Sequence, residues 1–180
     1  MRKFLWSFFE IIETVAIAVV AVFLVRTYIA QPFLVSGASM EPNFYDGDYL
    51  LIDELTYHLR EPLRGEVIVF KYPQNPRSYY IKRVIGLPGE RVVISKNGTV
   101  VFFEDGKKKN LSEPYVLGNG FGSDFEVKLG PEEYFVMGDN RNFSFDSRSW
   151  GALPRDKVIG LARFRLWPVT KVMAFEPPVY

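Results

Sequence analysis

Glu66-Val67-Ile68-Val69-Phe70 and Tyr79-Tyr80-Ile81-Lys82-Arg83-Val84-Ile85 are two closely spaced runs of β-branched and aromatic residues. Such residues favour β-strands. Similar runs, bounded by turn signals that contain glycine, occur at Tyr49–Ile52, Arg91–Ile94, Val100–Phe103 and Tyr134–Met137. The Asn97-Gly98 pair between two of these runs is a strong hairpin signal. The sequence therefore predicts a compact, mostly antiparallel β domain.

Helical patterns are scarce in this part of the chain. No period of 3.6 residues is present after the N-terminal segment, and Glu54–Arg60 predicts only a single short helical turn. The region from about 96 to 130 is expected to be an inserted hairpin and loop region. Within it, Lys107-Lys108-Lys109 predicts a solvated hairpin tip, and Gly118–Asp124 predicts a flexible loop.

The N-terminal segment is apolar. Residues 14–25 (TVAIAVVAVFLV) carry no charge. They are fewer than the roughly 20 residues that span a bilayer, but apolar flanks lengthen the run and favour a transmembrane helix. Arg2 and Lys3 precede it and only Arg26 follows closely, which favours a cytoplasmic N-terminus with residues 31–180 on the far side. A cleaved secretory signal and a buried core helix are the alternatives.

Composition limits the possible functions. The 180 residues suffice for one domain with a sizeable core. A net charge of +1 implies no strong field for nucleic acid. The absence of cysteine from the sequence excludes disulfides, thiol nucleophiles and zinc–thiolate sites, and it fits the oxidising outer side of a membrane.

Ser39 is a candidate nucleophile. It lies among small residues in Pro32-Phe33-Leu34-Val35-Ser36-Gly37-Ala38-Ser39-Met40-Glu41-Pro42, directly after the apolar segment. A serine hydroxyl is a weak nucleophile and needs a base. His58 is the only histidine in the sequence, and nothing around it marks a catalytic loop.

Lys82 is the other candidate base. Strand alternation places it on one face with Tyr80 and Val84, where lost hydration lowers its pKa. Lowering a lysine pKa from about 10.4 to near 7 costs about 4 kcal/mol, which full burial can supply. From the strand alone, a lysine whose head reaches water at a sheet edge is the alternative.

Five segments occur in a set order in this chain: SMEP at 39–42, GDY at 47–49, RGEVIVF at 64–70, YIKRVIGLPGE at 80–90, and GDNR at 138–141 followed by DSRSWG at 146–151. Together with the apolar N-terminus they closely resemble the bacterial type I signal peptidases, which are membrane-anchored Ser/Lys proteases. The resemblance covers residues 30–167. It implies a compact antiparallel β-sheet or barrel-like catalytic domain at 31–180, preceded by one transmembrane helix within 1–30.

The resemblance also implies roles for individual residues. Ser39 matches the nucleophile, Lys82 matches the general base, and Ser144 matches a serine that orients the lysine ammonium. Asp146 and Arg148 match a buried ion pair that supports the site. The matches in the same supporting shell are Arg83, Asp139 and Arg141.

The oxyanion hole is only partly assigned by this resemblance. The Ser39 N–H is expected to be one donor. Some members of the family have a serine two residues before the nucleophile, and its hydroxyl is the second oxyanion donor. In this chain that residue is Gly37. The second donor is therefore left open among a backbone N–H, a water and the Ser36 hydroxyl.

Substrates of the family carry small residues one and three places before the cut. The residues that match the walls of the corresponding shallow pockets are Phe33, Val35, Met40 and Ile81. Ordinary core packing is the alternative for Val35 and Ile81.

The resemblance implies a single-pass membrane endopeptidase that removes N-terminal signal peptides from exported preproteins at Ala-x-Ala sites. Its partners would be preprotein signal peptides and the lipid bilayer, and it would act downstream of the protein export machinery without metal, organic cofactor or nucleic acid. Alternatives are an inactive homologue with a binding role, a soluble self-cleaving repressor-like Ser/Lys protease, and a specialised relative with few substrates. The intact Ser39, Lys82 and Ser144 argue against the first, and the apolar N-terminus against the second.

Overall fold

The computed structural model describes residues 2–28, 30–95, 98–103, 105–116 and 124–178. A long helix, α1 (Arg2–Tyr28), comes first, and two single-turn helices, α2 (Thr56–Leu59) and α3 (Ser147–Trp150), follow later. In chain order the strands are β1 (Ala30–Leu34), β2 (Tyr49–Asp53), β3 (Val67–Tyr72), β4 (Asn75–Gly86), β5 (Arg91–Ser95), β6 (Gly98–Phe102), β7 (Lys108–Asn110), β8 (Phe125–Lys128), β9 (Glu133–Met137), β10 (Leu153–Pro154), β11 (Val158–Trp167) and β12 (Met173–Ala174).

The strands among the described residues form two sheets in which every pairing is antiparallel. The larger sheet has the hydrogen-bonded order β1-β2-β11-β3-β4-β9-β10, with β12 added beside β11. The smaller sheet has the order β7-β6-β5-β8. The prediction of a mostly antiparallel β fold is confirmed.

Strand β3 supplies apolar side chains to both faces of the larger sheet. Ile68 and Phe70 join one core cluster, whereas Val67 and Val69 join a second cluster on the opposite face. All four side chains are buried. Since side chains alternate along a strand, a continuous apolar run is what a strand covered on both faces requires.

The smaller sheet packs against one end of the larger sheet. Val92 and Ile94 of β5 lie in a third core cluster with Ile85 of β4 and with Phe135 and Met137 of β9. Of the region from about 96 to 130, strands β6, β7 and β8 belong to this smaller sheet, together with β5, which precedes the region.

Two local predictions in this region need comment. Lys108 and Lys109 belong to β7, which pairs with β6, so the hairpin tip lies at Asp105–Gly106 and not at Lys107–Lys109. Of the predicted loop Gly118–Asp124, every residue except Asp124 lies outside the described residues, as does Asn97. Ser95 pairs with Gly98 on either side of the predicted hairpin turn.

The apolar N-terminal segment forms a helix of 27 residues, α1. A search of the described residues finds no helix with the length and apolar character needed to cross a lipid bilayer.

The central strand β11 (Val158–Trp167) was not predicted. It carries Arg163 and Arg165 within a strand that is irregular, because its pairing with β2 shifts register twice. Arg165 is only 4% exposed and its charge is paired with Asp48 at 2.8 Å. The two arginines interrupt the apolar pattern from which the sequence would predict this strand. The sequence alone does not show that Asp48 is the buried partner of Arg165.

Gly86, at the end of β4, lies where the two sheets pack closely against each other. A Cβ at this position would lie 2.5 Å from Val92 Cγ2 and 2.8 Å from Leu129 Cδ1. We expect Gly86→Ala to lower the free energy of unfolding by about 1–3 kcal/mol through overpacking. Chemical denaturation in detergent measures this change.

Gly130→Ala is the matched control for Gly86→Ala. The atom nearest to its added Cβ is the end of the flexible Glu133 side chain, at 3.1 Å. Equal stability losses in the two variants would contradict the assignment of Gly86 to a tightly packed junction.

Candidate active site

Ser39 lies in a tight turn within the segment 35–48 that joins β1 to β2. Residues 38–44 are here called the nucleophile turn, or Ser39 turn, after the role predicted for Ser39. The turn is closed by hydrogen bonds from the Glu41 N–H to the Ala38 carbonyl at 3.2 Å and from the Phe44 N–H to the Met40 carbonyl at 3.0 Å. Met40 and Phe44 are each 1% exposed and fix the turn to the core beneath it. Ser39 itself is half-buried, so its hydroxyl can face a cleft while its backbone stays anchored.

Lys82, on β4, contacts Ser39 directly. Its Nζ lies 2.7 Å from Ser39 Oγ and donates to the Ile81 carbonyl at 2.9 Å. The lysine is 4% exposed. Burial lowers the pKa of Lys82 from 10.5 to about 8, against the opposing effect of the negative charges of Asp146 and Asp139.

Strand alternation places Lys82 as the sequence predicts. Its ammonium lies 5.7 Å from the centre of the Tyr80 ring, on the same side of β4. Tyr80 stacks in turn on Tyr72, with ring centres 4.9 Å apart. These aromatic neighbours withhold water from the ammonium, which accounts for its low exposure.

Asp139 joins the lysine strand to the nucleophile turn. Arg83, adjacent to Lys82, donates to both carboxylate oxygens of Asp139, at 2.8 and 2.6 Å. The same carboxylate accepts from Asn43 Nδ2 at 2.9 Å. Asp139 is fully buried and Arg83 is 6% exposed. The pair therefore ties β4 to the end of the Ser39 turn.

The segment that begins at Gly138 closes the site from a third side. The Asn140 N–H donates to the Ser39 carbonyl at 3.1 Å, and Asn140 Nδ2 donates to the Ala38 carbonyl at 3.1 Å. Gly138 leaves no room for a Cβ, which would lie under 3.0 Å from the Ser39 carbonyl oxygen and from Ser144. The glycine thus allows Ser144 to approach the nucleophile turn.

Asp146 and Arg148 form the ion pair that the sequence suggests. Arg148 Nε lies 2.8 Å from Asp146 Oδ1, and the Gly138 N–H donates to Asp146 Oδ2 at 3.0 Å. Burial alone would raise the pKa of Asp146, but Arg148 outweighs it and keeps that pKa below its ordinary value. Asp146 is therefore a buried anion.

Arg141 and Ser144 complete the predicted set. Arg141 Nε donates to the Gly138 carbonyl at 3.0 Å. Ser144 Oγ is buried and interacts with the Asp146 carboxylate, which helps to lower the pKa of that group, although their geometry is not that of an ordinary hydrogen bond. The hydrogen bonds described for Lys82 Nζ go to Ser39 Oγ and the Ile81 carbonyl, so the role of Ser144 in orienting the ammonium stays a prediction.

A cleft of about 310 Å³ opens beside Ser39 and Lys82. Of the predicted pocket residues, Phe33, Val35 and Ile81 line it, whereas Met40 lies in the core cluster below. The lining residues that the sequence did not suggest are Leu34, Leu50, Val69, Tyr79, Tyr80, Phe143 and Phe145. Tyr80 could have been predicted to line the cleft, because strand alternation places it on the same face of β4 as Lys82.

The Gly37 N–H donates to Asp46 Oδ1 at 2.8 Å, so this amide is already engaged. Gly37 adopts φ +89°, a conformation that favours glycine. For Ser39, no hydrogen bond from its N–H occurs within the described part of the chain. Of the oxyanion donors considered, the Ser39 N–H is thus available and the Gly37 N–H is not.

His58 lies exposed on α2 and is not among the residues that line the cleft. Four further residues that support the site were not suggested by the sequence: Asn43, Asp46, Glu113 and Tyr115. Each makes its contact with a residue far along the chain or through a turn, and neither kind of contact leaves a periodic pattern.

Residues 8–167 match the protein family described as "Signal peptidase, peptidase S26". The chain belongs to the signal peptidase family. It is 37% identical to a probable signal peptidase I-2 of Synechocystis sp. over 92% of this chain and 76% of that protein. It is 35% identical to a signal peptidase I of Bacillus licheniformis over 92% of each chain. These relationships identify it as a hydrolase of the signal peptidase I type.

A solved structure is also similar. A crystal structure of a signal peptidase I from Enterococcus faecalis V583 is 31% identical, with a TM-score of 0.48, over 57% of this chain and 97% of that one.

Burial of the Lys82 ammonium should cost stability. Because its pKa is about 8 in the folded chain and 10.5 ordinarily, the folded state binds fewer protons between these values. Stability of the wild type therefore rises as pH increases from 8 to 10.5, and the cost, up to about 3 kcal/mol, is fully present below pH 8. We expect Lys82→Met to raise Tm at pH 6.5, with a smaller gain at pH 10.

Thermal unfolding in detergent at both pH values measures this effect. Lys128→Met, which removes an exposed lysine on β8, serves as the control and should leave Tm unchanged. A Lys82→Met protein that is less stable than the wild type at pH 6.5 would contradict the expectation.

Proposed function

We propose that this signal peptidase is a serine endopeptidase with a Ser39/Lys82 dyad, which cleaves N-terminal signal peptides from exported preproteins after Ala-x-Ala. The observation that supports the dyad is the 2.7 Å contact between Lys82 Nζ and Ser39 Oγ beside an open cleft. Only a neutral lysine can accept the serine proton. With a pKa of about 8, about one tenth of Lys82 is neutral at pH 7.

In the proposed mechanism, Lys82 removes the proton of Ser39 as Oγ attacks the scissile carbonyl carbon. The tetrahedral intermediate places its negative oxygen near the Ser39 N–H. When the intermediate collapses, the C–N bond breaks and Lys82 returns its proton to the leaving amine. A water molecule then gives a proton to Lys82 as its oxygen attacks the carbonyl carbon of the acyl-enzyme ester. When this second intermediate collapses, the bond from the carbonyl carbon to Ser39 Oγ breaks, Lys82 returns the proton to Oγ, and the carboxyl product leaves.

The supporting residues would act by fixing the relative positions of Ser39 and Lys82. Ser144 would orient the ammonium, the Asp146–Arg148 pair would hold the 138–148 segment, and Arg83 with Asp139 would fix β4. Arg141 would hold the same segment through the Gly138 carbonyl. The cleft of an enzyme of this kind tolerates little displacement of reacting groups, since about 1 Å can reduce the rate roughly 100-fold.

The substrate would bind as an added strand at the edge of β4. Strand β9 pairs with β4 only at Arg83–Gly86, whereas Tyr79–Lys82 line the cleft. An extended peptide can therefore use backbone groups beside Lys82. Phe33, Val35 and Ile81 are bulky walls that leave space for alanine and exclude larger side chains one and three places before the cut.

A cleavage assay tests the dyad. Purified full-length protein in detergent should cut a peptide once after Ala-x-Ala, and Ser39→Ala and Lys82→Met should each lower kcat by at least about 1,000-fold. His58→Ala, which changes an exposed residue outside the cleft, should retain full activity.

The rate should also rise with pH to a plateau above about pH 8, because the base must be neutral. Activity that survives Lys82→Met and is lost in His58→Ala would overturn the dyad. Cleavage of one native preprotein but no generic Ala-x-Ala peptide would indicate a specialised relative.

We also propose that residues 1–30 form a cytoplasmic N-terminus and membrane anchor, and that residues 31–180 form the extracytoplasmic catalytic domain. The large apolar side chains of α1 whose exposure is described, among them Ile17, Val19 and Val22, are between 47% and 71% exposed. Leu34 of β1 and Tyr49 of β2, which pair with each other, are also exposed. Lipid would cover both surfaces, and the protein would act downstream of the export machinery.

Fractionation and a fusion test this location. A reporter protein fused after Tyr180 should be active outside the cytoplasm. In fractionation, the protein should stay in the membrane fraction after an alkaline wash. Replacing Val15, Val19 and Val22 together by Glu should release it, because charges in a lipid-facing stretch are costly. A cytoplasmic reporter signal would exclude the export-side topology.

A further inference from the structure

We propose that the segment 111–116, here called the strap, positions the Ser39/Lys82 site through Glu113 and Tyr115. The strap follows β7 of the smaller sheet, where the Leu111 N–H donates to the Thr99 carbonyl at 2.9 Å. From there it reaches the larger sheet. The proposal rests on the function proposed above and extends it to two residues that neither line the cleft nor belong to the dyad.

Glu113 holds the third segment of the site. Its carboxylate lies 2.5 Å from Arg141 NH2 and also accepts from Arg141 NH1 at 3.3 Å. The side chains are 1% exposed for Arg141 and 3% for Glu113. Arg141 in turn donates to the Gly138 carbonyl, two residues before the Asn140 that binds the Ser39 carbonyl.

Tyr115 holds the other two segments. The Arg83 guanidinium lies 4.1 Å from the centre of the Tyr115 ring, a close cation–π contact next to Lys82. The Tyr115 carbonyl accepts from Asn43 Nδ2 at 2.8 Å, at the end of the nucleophile turn. Its hydroxyl donates to Glu113 Oε1 at 2.9 Å, which couples the two strap residues.

The strap thus contacts all three segments whose relative placement sets the Ser39–Lys82 contact. The nucleophile turn is held through Asn43, the lysine strand through Arg83, and the 138–141 turn through Arg141. These contacts are largely buried and charged, so they are strong and directional. Because the strap touches no part of the cleft, its loss should affect the chemical step and leave peptide binding unchanged.

The test compares Tyr115→Leu and Glu113→Gln with the wild type in full-length protein in detergent. Each variant is assayed at least 10 °C below its own Tm, so that all molecules are folded. We expect kcat for an Ala-x-Ala peptide to fall at least about 10-fold with KM unchanged within twofold. Tyr115→Phe keeps the ring beside the Arg83 guanidinium, which Tyr115→Leu removes, and should retain most of the wild-type rate.

Glu126→Gln is the matched control. Glu126 also forms an arginine pair in the smaller sheet, with Arg91 at 2.8 Å, but those side chains are 56% and 41% exposed. This variant should keep the wild-type kcat. If Tyr115→Leu lowers Tm but leaves kcat unchanged, the strap only adds stability and the proposal fails.

A second readout does not depend on cleavage. The ¹³Cε resonance of Lys82 reports its pKa. Tyr115→Leu should raise that pKa, because Arg83 loosens, water reaches the ammonium, and the charge of Asp139 is less well compensated. An unchanged Lys82 titration would overturn the positioning role. If the wild type cleaves no peptide while this titration shifts as expected, the proposed function fails and the strap assignment stands.

Discussion

The structure is organised around a lysine that must lose its water without acquiring a fixed anionic partner. Lys82 is buried, and the Asp139 and Asp146 carboxylates lie near enough to raise its pKa. Each of these carboxylates is bound by an arginine, Arg83 or Arg148. The arginines therefore compensate charges that would otherwise hold the ammonium in its protonated form. Removing one of them would leave an uncompensated buried anion near Lys82, so in the proposed mechanism the pairs would act on the chemistry as well as on the fold.

Strand β4 connects the fold to the site. Its outer half borders the cleft with Tyr79–Lys82, and its inner half lies between β3 and β9 with Arg83–Gly86. Because adjacent side chains on a strand point to opposite faces, Lys82 and Arg83 can serve two different networks from neighbouring positions. Lys82 contacts Ser39, and Arg83 binds the Asp139 carboxylate, which in turn holds Asn43 at the end of the Ser39 turn.

The sequence predicted the features that depend on local pattern. Runs of β-branched and aromatic residues located β2 to β6 and β9, and alternation along β4 placed Lys82 with Tyr80. The central strand β11 was missed, because its arginines find their partners only after folding, as Arg165 does with Asp48. The strap contacts of Glu113 and Tyr115 were missed for the same reason, since residues 28 and 72 positions apart leave no periodic signal.

The hydrogen bond from the Gly37 amide to Asp46 has a consequence for inhibitor design. With that amide engaged, an anionic adduct on Ser39 would, in the proposed mechanism, receive one fixed backbone donor from this turn, the Ser39 amide, in place of two. Compounds that gain their affinity from a doubly donated oxyanion should lose part of it here. Ligands that instead bind as a neutral strand along β4 and contact Lys82 would discriminate this enzyme from serine hydrolases whose oxyanion holes contain two backbone amides.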